Sequence, residues 1–198
     1  MSENNNTFKK AIDLIKKMED TTHYYSVTKD FSNPKYHNPE MCAKCKGLCC
    51  HSSGCLISPD DFNLKVSFLA EEVNYRIAYT IIREELEKGY ITIEAIDGDQ
   101  VYINNGIILI LHVRDARAPI CVSLRKRKHS HCILLTDKGC PFSFSDRPTG
   151  GKMLIPNFPQ CTNDYSLYDC CKEWLPFQHV LKDLFDDFKD KDIKCSIW

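Results

Sequence analysis

The residues with the clearest chemical potential are five cysteines in the stretch CAKCKGLCCHSSGC, Cys42 to Cys55, out of twelve in a chain of 198 residues. The stretch is polar and has few apolar side chains to bury, so its thiols read as ligands rather than packing groups. In Cys42-x2-Cys45 the two-residue gap lets two thiolates converge on one ion while the intervening amides point toward the sulfurs. Gly47 permits the turn that brings Cys49 or Cys50 round. Adjacent cysteines cannot easily face the same ion, so Cys49 and Cys50 are expected to serve different metals, or one of them to be structural. Cys50 and Cys55 also suit a second role as small buried hydrophobes, because unpaired cysteine is among the residues most often buried. His51 is a candidate further ligand or a polar neighbour of the thiols.

A second group begins at Cys132. The strand-like piece Ile133-Leu134-Leu135 and the turn Thr136-Asp137-Lys138-Gly139 form a hairpin that would present Cys132 and Cys140 at one end. Cys161 follows the loop IPNFP. Cys170 and Cys171 form another adjacent pair, and because Leu167, Cys171 and Trp174 share one helical face, a core role and a second site are both open. Cys121 stands among apolar neighbours as a packing residue, and Cys195 lies in a short hydrophobic end.

Taken together, Cys42-x2-Cys45-x3-Cys49-Cys50, the following Leu56-x2-Pro59-x-Asp61, and the distant Cys132-Ile133-Leu134-Leu135, Gly139-Cys140 and Arg147-Pro148 resemble the CxxCxxxCC zinc- or iron-chelating family. This is the YkgJ-type group of cysteine-cluster proteins that also includes flagellin lysine N-methylases. The resemblance implies a metal or iron–sulfur centre assembled from both cysteine groups, with the intervening helix and strands as scaffold. The chain departs from the family pattern where a cysteine soon after Arg-Pro is expected, since Thr149-Gly150-Gly151 stands there instead. The nearest later thiol is Cys161, which either reaches back to the site or leaves it one ligand short. All-thiolate sites suit zinc and iron–sulfur clusters alike. More thiols are present than the four that one zinc ion needs, which favours an iron–sulfur cluster over zinc.

Composition narrows the remaining classes. The apolar fraction and mixed charge are those of an ordinary globular protein, and a net charge of -1 gives no reason to expect nucleic acid or a membrane as partner. No apolar run reaches the roughly 18 to 20 residues that cross a bilayer, and MSENNNTFKKAIDLIKK lacks a signal-peptide apolar block. A cytoplasmic location is expected, where close cysteine spacings point to metal or thiol chemistry rather than disulfides. An unidentified protein or small molecule is then the expected partner. Two other functions fit the residues less fully. A lysine N-methylase-like enzyme has no glycine-rich nucleotide motif or paired catalytic carboxylates to support it. A thiol redox protein using Cys49-Cys50 or Cys170-Cys171 lacks the Cys-x-x-Cys at a strand-to-helix junction. Arg114 to His131 carries six basic residues against Asp115, with His112 nearby, and reads as a solvated loop or an anion site.

The elements that must position these thiols follow from periodicity. Thr7 to Glu19 is an amphipathic helix, and Thr21 to Pro39 an ordered aromatic loop. Ser58-Pro59-Asp60-Asp61 is a helix start, with Phe62, Val66, Leu69, Val73, Ile77 and Ile81 continuing the apolar face past a break near Asn63 to Ser67, and Gly89 closing it. The pattern then alternates through Tyr90 to Ile96, turns at Asp97-Gly98-Asp99, and resumes at Val101 to Ile103 and Ile107 to Val113. A helix from about Phe177 to Lys189 closes the chain. The expected fold is α+β: one domain over residues 1–198, in which a small antiparallel sheet of about three strands is flanked by helices and built round the cysteine site. Residues 1–40 form its N-terminal helix and loop, and residues 177–190 its closing helix.

Overall fold

The computed structural model describes residues 29–47, 50, 54–64, 71–103, 106–113, 120–121, 132, 134–157 and 161–189. The expected helix Thr7 to Glu19, the basic residues between 122 and 131, Cys49, His51 and Cys195 lie outside the described residues. The fold is α+β, with a small, mainly antiparallel sheet flanked by helices.

Strands β1 (Leu56–Ile57), β2 (Ile91–Asp97), β3 (Ile107–Val113) and β4 (Ile120–Cys121) form a sheet of order β1-β3-β2-β4. β2 and β3 are antiparallel from Ile91 opposite Val113 to Asp97 opposite Ile107, and β4 adds in parallel to β2. The sheet thus has four strands rather than three, and the expected strand Val101 to Ile103 is not one of them. The reason is local. The Asp97 side chain accepts from Asp99 N and starts a 3-10 turn over Gly98–Val101, which ends at Tyr102 with φ of 58°. Val101 and Ile103 are apolar because they are buried under this longer connection, while Tyr102 points outward at 93% exposure. β3 reads IILILHV without alternation because helices cover one face and the core the other, leaving Ile107 alone exposed along it.

Helices α1 (Pro39–Cys45), α2 (Glu71–Glu87), α3 (Thr149–Lys152), α4 (Leu167–Trp174) and α5 (Gln178–Lys189) complete the described core, with a short hairpin of β5 (Leu154–Ile155) and β6 (Thr162–Asn163). The helix start at Ser58 carries the expected capping box, but it yields only a single 3-10 turn, Pro59–Phe62, ended by Asn63 in the left-handed region at φ of 54°. α2 buries Ala78, Ile82 and Leu86, one turn apart, so Ile77 falls outside the buried stripe and is 48% exposed. α5 buries Val180, Leu181, Leu184 and Phe188, as its apolar spacing implies. Its aspartates reach back to α2: Tyr75 OH donates to Asp183 Oδ2 at 2.6 Å, and Tyr79 OH donates to Asp187. The Asp183 hydrogen bond raises the Tyr75 phenol to about 12. Among the described residues no helix is long and apolar enough to cross a membrane.

Two buried polar devices hold the sheet and helices in register. Glu173 on α4 is fully buried and pairs with Lys29 at 2.8 Å, while Ser58 Oγ and Tyr165 OH donate to its Oε2 at 2.6 and 2.7 Å. The second is a substitute for a missing strand. β1 covers only two residues of the β3 edge, and beyond it the Gln178 amide takes over, its Nε2 donating to Leu109 O at 2.7 Å and its Oε1 accepting from Leu109 N at 2.8 Å. Replacing Gln178 with leucine keeps much of the volume but strands both Leu109 backbone groups. It should cost about 1–3 kcal/mol, measurable as a lowered urea midpoint at unchanged slope.

Candidate metal centre

α1 begins at Asn38, whose side chain accepts from Met41 N at 2.9 Å, and Pro39 at the first helical position needs no hydrogen-bond acceptor for its nitrogen. Its seven residues set Cys42 and Cys45 three apart, on one helix face. Lys46 at φ of 48° and Gly47 at φ of 79° then reverse the chain, and Cys50 N donates to Gly47 O at 2.8 Å. A β-carbon on Gly47 would lie 2.7 Å from Leu135 Cδ1 and 3.4 Å from Gly139 Cα, so the backbone of the second cysteine group sits directly against this turn.

That second group forms the expected turn. Thr136 N donates to Gly139 O at 3.0 Å and Gly139 N returns to Thr136 O at 2.8 Å, which places Cys140 beside the end of α1. Cys132 N donates to Cys50 O at 2.7 Å, a direct backbone link between the two groups. Cys55 enters from a third segment, its carbonyl accepting from Val113 N at 2.9 Å just ahead of β1. Gly150 and Gly151 of α3 press on this strand. A β-carbon at Gly150 would meet Leu56 O and N at 2.7 and 2.8 Å, and one at Gly151 would meet Cys55 Sγ at 3.1 Å. α3 is held there by Asp61, which accepts from Thr149 N and Oγ1 as well as from Ser58 N, although burial raises its carboxyl above the ordinary aspartate value. Cys161 stands at the start of β6, which the hairpin with β5 returns toward α3.

These segments enclose a cavity of about 260 Å³ lined by Cys42, Cys45, Cys50, Cys55, Cys140 and Cys161, together with Lys138 and Arg147. A smaller adjoining cavity of about 20 Å³ shares Cys50, Cys55, Cys140 and Arg147 with it and adds Cys132. Among the described residues neither lining contains an aspartate or glutamate. Among the described residues no group of three or more His, Cys, Asp or Glu side chains is arranged to hold a metal ion, so the sulfurs face a common space and not a closed coordination shell.

Set against the sequence, Cys42, Cys45, Cys50, Cys140 and Cys161 line the main cavity, and Cys132 only the smaller one. Cys161 lines the main cavity together with Gly151. Cys55, equally readable as a packing residue, lines both cavities. Arg147 and Gly151 were legible only as the Arg-Pro pair and a departure from pattern, because their part depends on α3 seating on β1. Cys170 and Cys171 belong to the core, each fully buried. Burial pushes the Cys170 thiol well up and the Cys171 thiol up to about 12, and Cys170 Sγ lies 3.5 Å from Ile57 O. His112 is also internal, its Nδ1 3.1 Å from Glu94 Oε1, and so is no part of a surface basic patch.

No protein-family model, curated protein or solved structure matches this chain.

Thiol reactivity should divide along the same line, because alkylation requires an accessible thiolate. With a chelator present under reducing conditions, brief iodoacetamide treatment at pH 8 should label Cys42, Cys55, Cys140 and Cys161 and spare Cys170 and Cys171. Peptide mass spectrometry reads the result, and early labelling of Cys171 would contradict the packing described here.

Proposed function

We propose that this chain is a metal-binding protein whose centre is held by cysteine thiolates from both cysteine groups, an iron–sulfur cluster in preference to zinc. The observation that supports it is the meeting of six cysteines from four separated segments, α1 and its turn, the approach to β1, the Thr136–Gly139 turn and the approach to β6, on one cavity whose described lining carries no carboxylate. Packing alone gives no reason for this. Cys170 and Cys171 are buried in the apolar core, whereas Cys42, Cys55, Cys140 and Cys161 are all partly exposed. The donor set is all sulfur, which suits zinc and iron–sulfur chemistry and disfavours magnesium or calcium. A cavity with more than four sulfurs suits a cluster better than a single zinc ion. The resemblance to cysteine-cluster chelators points the same way.

In this reading Cys42, Cys45, Cys50, Cys55, Cys140 and Cys161 supply the ligand pool, with Cys49 beside them in sequence and Cys132 behind the smaller cavity. A bound cluster would supply one-electron chemistry, and a bound zinc ion would supply a crosslink or a Lewis acid. The protein's own contribution is to hold thiols from distant segments in one place.

Anaerobic purification followed by metal and sulfide analysis and an absorption spectrum tests the proposal. Iron with labile sulfide and a broad band near roughly 400 nm is the expected result, and stoichiometric zinc without colour would replace the cluster but keep the site. Absence of both metals, with disulfides among the cavity cysteines, would overturn the proposal in favour of thiol redox chemistry. Cys45→Ser and Cys161→Ser should each lose most of the bound metal and melt earlier, because metal affinity and folding are linked. Cys171→Ala should keep its metal.

A further inference from the structure

Arg147 combines three features that the ligand pool does not explain. It lines both cavities, alongside the three cysteines the cavities share, Cys50, Cys55 and Cys140. Its Nε is buried and has no hydrogen-bond partner among the described residues. Its stem is fixed, because the position a Gly151 β-carbon would take lies 3.3 Å from Arg147 Cβ, 3.8 Å from its Cδ and 3.1 Å from Cys55 Sγ. Arg147 and Cys55 therefore pack against the same glycine. Pro148 adds a backbone constraint, since a residue before proline is held extended, and Arg147 stands at φ of -71° and ψ of 148°.

A guanidinium cannot shed its proton to relieve burial, so a buried N–H without an acceptor carries a real desolvation cost. What fills the cavity that Arg147 lines can supply that acceptor. The described lining offers no carboxylate, and a neutral thiol is a weak acceptor, whereas a metal-bound thiolate or a sulfide is anionic and accepts well. The charge fits too: four thiolates on a dipositive ion or cluster core leave a net charge of about −2, as follows from the ligand chemistry of such sites.

Resting on the metal reading above, we propose that Arg147 is the positioning residue of the centre. Its guanidinium donates through Nε to a sulfur of the loaded site and offsets the negative charge there, setting how firmly the metal is held and at what potential. Lys138, on the same lining, is a flexible point charge without the fixed planar donor, and is expected to contribute less.

The test compares wild type, R147Q and R147K, purified anaerobically and checked by circular dichroism. Metal content, resistance to a chelator and a sulfur-reporting signal are measured on each: reduction potential for an iron form, the thiolate-to-metal charge-transfer band after cobalt exchange for a zinc form. R147Q should fold, and lose metal to the chelator about tenfold or more faster, the size expected when a group supporting metal ligands is removed. An iron form should become harder to reduce, and a cobalt form should show a shifted band. R147K should lie between, since it keeps a charge and loses the planar donor. If R147Q does not fold, R147K alone decides, with wild-type retention and an unmoved signal overturning the role. A wild-type protein that binds no metal overturns the metal reading itself. Wild-type metal binding with R147Q indistinguishable from it in retention and signal overturns only the Arg147 assignment.

Discussion

The two residues of β1 are the joint on which both the core and the cysteine cavity depend. On one side Leu56 and Ile57 pair with His112 and Leu111 of β3. On the other, Gly150 lies so close to Leu56 that a single added β-carbon would strike its backbone oxygen and nitrogen. Trp174 Nε1 donates to Ile57 O at 2.7 Å, which ties the most buried aromatic of α4 to the same strand. Cys55 immediately precedes β1 and Ser58 immediately follows it, so the position of this short strand fixes a cavity thiol at one end and the buried Glu173 network at the other.

That coupling also positions the described cysteine segments. The cysteine segments have too little apolar surface to hold themselves, and they borrow order from backbone contacts instead: Cys132 N to Cys50 O, Val113 N to Cys55 O, and the packing of Gly47 on Gly139. The buried Lys29–Glu173 pair and the Gln178 clasp contribute in another way. A buried ion pair adds little net stability over apolar packing, but its removal by halves is costly, so such groups select one arrangement of strands and helices. Under the proposed function a bound metal would cross-link the same segments, and loading would complete an enclosure that the protein already outlines.

The twelve cysteines also show how far environment decides chemistry. Cys170 and Cys171 are held as neutral thiols by burial, in a core that also buries Tyr165 and Trp174. The cavity cysteines Cys42, Cys55, Cys140 and Cys161 remain partly exposed. Equal side chains thus meet different environments, and adjacency in the chain, which Cys170-Cys171 shares with Cys49-Cys50, does not decide which.

Local chemistry made much of this legible from the chain alone. The cap at Ser58, the Thr136–Gly139 turn, the β2 and β3 strands and the closing helix each depend on residues close in sequence, so pattern sufficed. The grouping of Cys42 and Cys45 was legible for the same reason. What tertiary structure alone decided were the long-range matters: that Val101 to Ile103 packs under a turn instead of forming a strand, that Cys170 and Cys171 are core, that Cys55 and Cys161 share a cavity with Cys42, Cys45 and Cys140, and that Arg147 joins them. Each depends on how closely separate segments approach, and that distance is set by packing between residues tens of positions apart, above all by two glycines on a two-residue strand.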